Sequence, residues 1–141
     1  MRWTPKTPYL TVDGIVEIYD KDENFQGIVV IKRKNPPAGT ALPGGFVDVG
    51  ESVEDALKRE MKEEISLDVE IKELLGVYSD PRRDARFHTV SVVFTCKAYG
   101  TPVGADDAKE AVIVPLDSPR LQELVFDHAK IVADYKARYR L

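Results

Sequence analysis

The sequence has one cysteine, Cys96, and two histidines, His88 and His128. A lone cysteine excludes an internal disulfide, and so few soft ligands exclude a structural zinc site. Long apolar runs are missing as well. Stretches such as Gly27 to Ile31 last only a few residues, which leaves no candidate membrane-spanning segment. The start, Met1-Arg2-Trp3-Thr4-Pro5, lacks the apolar stretch of a secretory signal, so the expected location is the cytoplasm. Nor is there an excess of positive charge. Twenty basic residues against 24 acidic ones give a net charge of −4, so no overall basic field is offered to nucleic acid, and an anionic ligand has to be held by local groups. Carboxylates remain as the plentiful metal ligands.

The composition, 43% hydrophobic and 31% charged over 141 residues, is that of a globular protein, and the length predicts one domain over 1–141. Tyr9 to Tyr19 is rich in β-branched and aromatic residues and is followed by the polar run Asp20 to Asn24 and then Gly27 to Ile31, which reads as a hairpin. Asn35-Pro36-Pro37-Ala38-Gly39 breaks regular structure. Short extended pieces then surround Gly44-Gly45. Ser52 to Asp55 has the spacing of a capping box, and a helix is expected to run to Ile65. Strands are expected over Val69 to Tyr78, His88 to Tyr99 and, briefly, Ala111 to Val114. A short helix around Arg120 to Leu124 and a longer one from Asp127, read as its N-cap, to Arg140 complete a mixed α/β pattern.

The helix carries the chemistry. On a wheel of about 100° per residue, Val53, Ala56, Leu57, Met61 and Ile65 form an apolar stripe, and Glu60 and Glu64 fall inside it, with Glu63 at its edge. These acids are i,i+3 and i,i+4 neighbours. At about 6 Å and an effective dielectric near 20, each like-charge pair repels by roughly 3 kcal/mol. Arg59 offsets part of that charge, but one arginine cannot saturate four acids once Glu51 is counted. A hard divalent cation such as Mg²⁺, with Mn²⁺ as the other candidate, takes oxygen ligands and leaves positions for a phosphate. The alternative is a solvated acidic face, which the position of Glu60 and Glu64 within the stripe disfavours.

Gly45, five residues, Glu51, seven residues, then Arg59-Glu60-Met61-Lys62-Glu63-Glu64-Ile65-Ser66-Leu67 resembles the box of the Nudix hydrolases, G-x5-E-x7-R-E-U-x-E-E-x-G-U with U apolar. One fixed position departs: Ser66 stands where the box has glycine, at the helix end where a left-handed residue is wanted, and it removes no ligand. The lead-in Leu42-Pro43-Gly44-Gly45, the stretch Gly76 to Pro81, Arg83-Asp84, His88 to Phe94 and Phe126 to Ile131 are similar to small prokaryotic ADP-ribose pyrophosphatases. The resemblance implies a Nudix-type α/β/α sandwich with a mixed sheet, one central box helix and a C-terminal helix. It also implies Mg²⁺-dependent hydrolysis of ADP-ribose, or a related nucleotide sugar, to AMP and ribose 5-phosphate.

Carried over by position, Glu60 and Glu64 are the expected metal ligands, with Glu63 assisting and the Gly45 carbonyl completing the shell. Arg59 and Glu51 are expected to orient them. The general base comes either from the box or from the later acidic loop Asp106, Asp107, Glu110, of which Glu110 is the first candidate. Arg33, Arg82, Arg83 and Arg86 are candidates for phosphate or ribose. Tyr9, Tyr19, Tyr78 and Phe87 are candidates to stack on a base. Each has a structural alternative, surface charge for the arginines and packing for the aromatics. His88 and Cys96 read as structural. A nucleotide diphosphate is the expected partner, with no nucleic acid and no membrane. Homodimers are frequent among similar proteins, and Trp3 to Tyr9 is the segment available for such a contact. Two other functions fit the motif: a pyrophosphohydrolase of oxidised nucleoside triphosphates or dinucleoside polyphosphates, and a non-catalytic nucleotide sensor.

Overall fold

The computed structural model describes residues 3–141; Met1 and Arg2, the first residues of the expected 1–141 domain and of the segment read for a signal, lie outside the described residues. Among the described residues seven strands and two α-helices follow one another: β1 (Tyr9–Tyr19), β2 (Phe25–Arg33), β3 (Thr40–Ala41), β4 (Gly44–Phe46), α1 (Val53–Ile65), β5 (Glu70–Tyr78), β6 (Thr89–Tyr99), β7 (Ala108–Val114) and α2 (His128–Tyr139), with a 3₁₀ turn at Pro119–Gln122 before α2. Among the described residues no helix is long and apolar enough to cross a membrane.

The sheet is mixed. β1 pairs in parallel with β6 along its whole length and antiparallel with β2 and β4 on its other side. That second side is shared. Near its end β1 bonds to β2, from Glu17 against Ile28 to Tyr19 against Phe25, but near its start Thr11 to Asp13 lie against Phe46 to Gly44 of β4. β2 therefore parts from β1, and its later residues pair with β3 and β7 instead. A fork opens between the two strands, and the segment from β3 to β4 crosses it.

Both faces of the sheet are covered. Val12 and Val16 of β1, Phe94 and Cys96 of β6 and Ala56, Leu57, Met61 and Ile65 of α1 form one core. Ile15, Val93, Ile131, Val132 and Tyr135 belong to the other, against α2. Strand β6, whose alternation predicts one apolar and one polar face, is thus buried on both, because α2 lies over the face bearing Ser91 and Thr95. Two acids of β1 are buried on that side. Tyr135 of α2 donates to Glu17 at 2.5 Å, and His128 lies 3.7 Å from Asp13.

α1 has the expected limits. Asp55 N–H donates to the Ser52 hydroxyl at 3.1 Å, as a capping box requires. At the other end Ser66 takes the left-handed conformation, φ 62°, that the box glycine would have taken. Its hydroxyl donates to the Val103 carbonyl at 3.0 Å, and the Val103 and Ala105 N–H groups take the last free carbonyls of the helix, Ile65 and Glu64, at 3.0 Å.

Two expectations are corrected. β7 begins at Ala108 rather than Ala111, since pairing with β2 from Ile28–Val114 to Arg33–Ala108 recruits residues with little strand propensity of their own. Asp127 stands at the N-cap of α2, but its carboxylate makes no cap hydrogen bond because it is held by Arg83.

Candidate active site

The fork between β1 and β2 is a cleft of about 270 Å³. Thr11 and Asp13 line one side, Ile31 and Arg33 the other, and Gly44, Gly45, Glu60 and Glu64 the floor. Arg86, Asp107 and Phe126 complete its far end.

The two glycines are there for lack of a side chain. A Cβ on Gly45 would collide with the Glu60 carboxylate, and one on Gly44 with Asp13 and the Val12 carbonyl. Backbone and carboxylates therefore approach more closely than any other residue would permit. Gly44 N–H donates to Glu64 at 3.2 Å, fixing one carboxylate oxygen while the side chain is almost wholly buried.

Arg59 organises the rest. Its guanidinium donates to Glu51 at 2.7 and 2.9 Å, to Glu60 at 2.9 Å, to Glu63 at 3.1 Å and to the Phe46 carbonyl at 3.0 Å. Glu51 also accepts from Asp48 N–H at 3.0 Å. The arginine pairing holds Glu51 down at a pKa of about 2 and raises that of Arg59 itself. The acids farther inside behave oppositely. Burial pushes Glu64 up to about 8 and Asp13 to about 7, and it raises Glu60, with neighbouring carboxylates adding to each.

Among the described residues no three acid, histidine or cysteine side chains stand together as a ready-made metal cage. Arg59 bridges Glu60 and Glu63 through one nitrogen. The donor set nevertheless fits a hard cation. Several carboxylates share the cleft and push one another's pKa up, and at Gly45 no side chain stands between the backbone and the Glu60 carboxylate.

The far end of the cleft is basic. Arg33 and Arg86 both stack on the ring of Phe126, with guanidinium carbons 5.0 and 5.5 Å from its centre. Arg33 is steadied by the Pro36 and Pro37 carbonyls and Arg86 by a two-point pairing with Asp84, which leaves one terminal nitrogen of each without a partner among the described residues. Phe126 has φ 59°, a left-handed conformation that bulky residues seldom adopt.

The other candidates are sorted by position. Arg83 borders the cleft, but its side chain is 5% exposed and all three nitrogens are spent on Asp127 and Thr89, so it braces the wall. Arg82 points away to Asp80 and borders a second cavity with Tyr78. Tyr19 packs on Phe25. Tyr9 and Phe87 form an exposed aromatic group with Phe46, a cleft residue, at ring separations of 5.8, 5.0 and 6.2 Å. Glu110, the first candidate for the base, is an exposed ladder residue opposite Lys32 and does not border the cleft; Asp107 is the acid of that loop that does.

Sequence reasoning missed Asp13, Phe46 and Phe126 as cleft residues, and it ranked Glu110 ahead of Asp107 within the acidic loop. Asp13 had a signal, a charge amid the apolar run of β1.

The comparisons with known proteins agree with this geometry. The model of the NUDIX domain matches residues 8–135. An "ADP-ribose pyrophosphatase" of Methanocaldococcus jannaschii is 50% identical over 131 residues, 91% of this chain and 73% of that one. The NUDIX domain of Shewanella oneidensis NrtR, solved with ADP ribose, superposes with a TM-score of 0.80 at 26% identity, covering 95% of this chain and 90% of that one. A MutT/nudix family protein of Enterococcus faecalis gives 0.78 at 28% identity over 99% of this chain, which spans 65% of the Enterococcus chain. With the family model matching nearly the full length and the box helix placed at the cleft floor, the chain belongs to the Nudix family.

Proposed function

We propose that this protein hydrolyses the pyrophosphate bond of ADP-ribose, or of a closely related nucleotide sugar, to AMP and ribose 5-phosphate in the presence of Mg²⁺ or Mn²⁺. The observation that carries the reading is the division of one cleft into an acidic floor at Glu60 and Glu64 and a basic end at Arg33 and Arg86. The similarity to the archaeal pyrophosphatase over most of the chain favours this substrate over triphosphates.

Glu60, Glu64 and the Gly45 carbonyl would hold the cation, with Glu63 as a further ligand. A divalent cation held there would supply charge neutralisation for the phosphate oxygens. Arg59, anchored by Glu51, keeps Glu60 and Glu63 in position. Arg33 and Arg86 take phosphate oxygens with their free N–H groups. Tyr9, Phe46 and Phe87 offer the adenine an aromatic surface at the cleft mouth. Water adds its oxygen to one phosphorus, the bridging P–O bond breaks, and the two phosphate monoesters leave. The proton from water passes to a carboxylate, either Glu63 of the box helix or Asp107 at the far end of the cleft.

A panel of ADP-ribose, other nucleotide sugars, triphosphates and diadenosine polyphosphates, incubated with Mg²⁺ and resolved by chromatography, tests the reading. AMP with ribose 5-phosphate supports it. Preferential release of pyrophosphate from triphosphates overturns it.

A further inference from the structure

Outside the box, the start of α2 meets the strap between β3 and β4 through a buried side-chain hydrogen bond. β3 ends at Ala41 and β4 begins at Gly44, so Leu42 and Pro43 span the fork with no ladder of their own. Pro43 has no N–H, and its carbonyl accepts from Gly14 N–H at 2.9 Å. The Leu42 N–H is left to find a partner inside the protein, where an unmet donor is costly. It donates to Nδ1 of His128, 2.9 Å away, on a residue 4% exposed. Nδ1 must therefore carry a lone pair. In a neutral ring the proton then sits on Nε2, which faces Asp13 Oδ1 at 3.7 Å. Burial holds the imidazole neutral, pushing its pKa down to about 3.

We propose that His128 is a positioning residue of this site: by accepting the Leu42 N–H it sets the strap that carries Gly44 and Gly45 against Glu64 and Glu60. The proposal rests on the hydrolase reading above. Its chain of contacts is short. Leu42 is two residues from Gly44, whose N–H holds Glu64, and three from Gly45, which packs against the Glu60 carboxylate. Attachment of the segment leading into α2 to β3 does not depend on His128 alone, since Val125 N–H also donates to the Thr40 carbonyl at 2.9 Å. His128 adds the placement of the last residues before the glycine pair. Residues that orient ligands in this indirect way are worth about 10- to 100-fold in metal affinity or activity.

Two near-isosteres separate positioning from bulk. In His128→Asn the side-chain carbonyl falls near the place of Nδ1 and can accept the Leu42 N–H; in His128→Gln the amide reaches the place of Nε2 and leaves that N–H unmet. The asparagine variant is expected to stay within about threefold of wild type in kcat and in Mn²⁺ affinity, while the glutamine and alanine variants lose about 10- to 100-fold in one or both. Two readouts do not involve turnover. Nitrogen-15 spectra of the histidine-labelled protein should show a bare Nδ1 and a protonated Nε2, and the Leu42 amide should exchange slowly in wild type and His128→Asn but quickly in His128→Gln. A bare Nε2, an imidazolium at neutral pH, or a folded His128→Gln with wild-type kcat and Mn²⁺ affinity overturns the proposal. Wild-type protein without Mg²⁺-dependent turnover sinks the hydrolase reading instead, and Mn²⁺ titration of the two variants, with the tautomer and the Leu42 exchange, then decides the anchor by itself.

Discussion

Gly45 and Glu60 share one space: a Cβ on the glycine would lie inside the glutamate carboxylate. The box glycine is thus a steric condition for the acid beside it. Gly45→Ala should displace Glu60, cost about 1–3 kcal/mol by overpacking and lower turnover of ADP-ribose. Urea unfolding and steady-state rates on the same preparation check both; a stable, fully active variant contradicts the relationship.

The raised pKa of Glu64 links stability to pH. A carboxyl whose folded pKa is raised, here from 4.5 to about 8, binds its proton more tightly in the fold. Its contribution is full below 4.5 and is lost as pH rises through 8. Without divalent cations the protein should therefore lose stability across that window, and Glu64→Gln should flatten the loss. Mg²⁺ needs the ionised form, so its stabilising shift in Tm should be small near pH 5 and grow toward pH 8. Thermal melts with EDTA and with Mg²⁺ at several pH values measure this directly. A Mg²⁺ shift in Glu64→Gln equal to that of wild type counts against Glu64 as a ligand.

The arginines should separate by role. Arg86→Gln removes a guanidinium that lines the cleft and should raise KM for ADP-ribose about tenfold or more, the scale of a charge-assisted hydrogen bond, with a smaller effect on kcat; it also strips the buried Asp84 of its partner and should lower stability as well. Arg82→Gln should leave kinetics and stability near wild type, because its partner Asp80 is also exposed. Arg83→Gln should destabilise by about 3–5 kcal/mol, since it strips a mostly buried Asp127 of its partner. Chemical denaturation and kinetics on the three variants test the ordering.

Ser66→Gly restores the usual box residue. It relieves a left-handed serine, a strain of about 1–2 kcal/mol, and loses the hydroxyl bond to Val103, worth about 0.5–1.5 kcal/mol. The two nearly cancel, so stability should change by less than about 1 kcal/mol and turnover should not change. A large shift in either would mean that the serine does more than close the helix.

Much of this was legible in the residues, and the exceptions have physical causes. α1 could be read because its cap, its apolar stripe and its misplaced acids are all local, and Ser66 could be placed because a helix end demands a particular backbone conformation. The cleft could not. It exists because β2 leaves β1 partway along, and that divergence depends on pairings with β3, β4 and β7 that are distant in the chain. Glu110 seemed loop-borne for the same reason, as its strand is made by β2 and not by its own propensity. Arg83 and Arg86 look alike in sequence; the nearness of Asp127 to one and of Phe126 to the other gives them different work.

The central claim is that the inward acids of α1 support cleavage of a pyrophosphate, and phosphorus-31 NMR of ADP-ribose with Mg²⁺ tests it most directly, run on wild type and on Glu64→Gln. For the wild type the account predicts that the diphosphate signals give way to those of two phosphate monoesters, AMP and ribose 5-phosphate. In the variant the same conversion should slow by on the order of 100- to 1000-fold while the fold is kept. An unchanged diphosphate with wild-type enzyme, or equal rates in the two proteins, would contradict it.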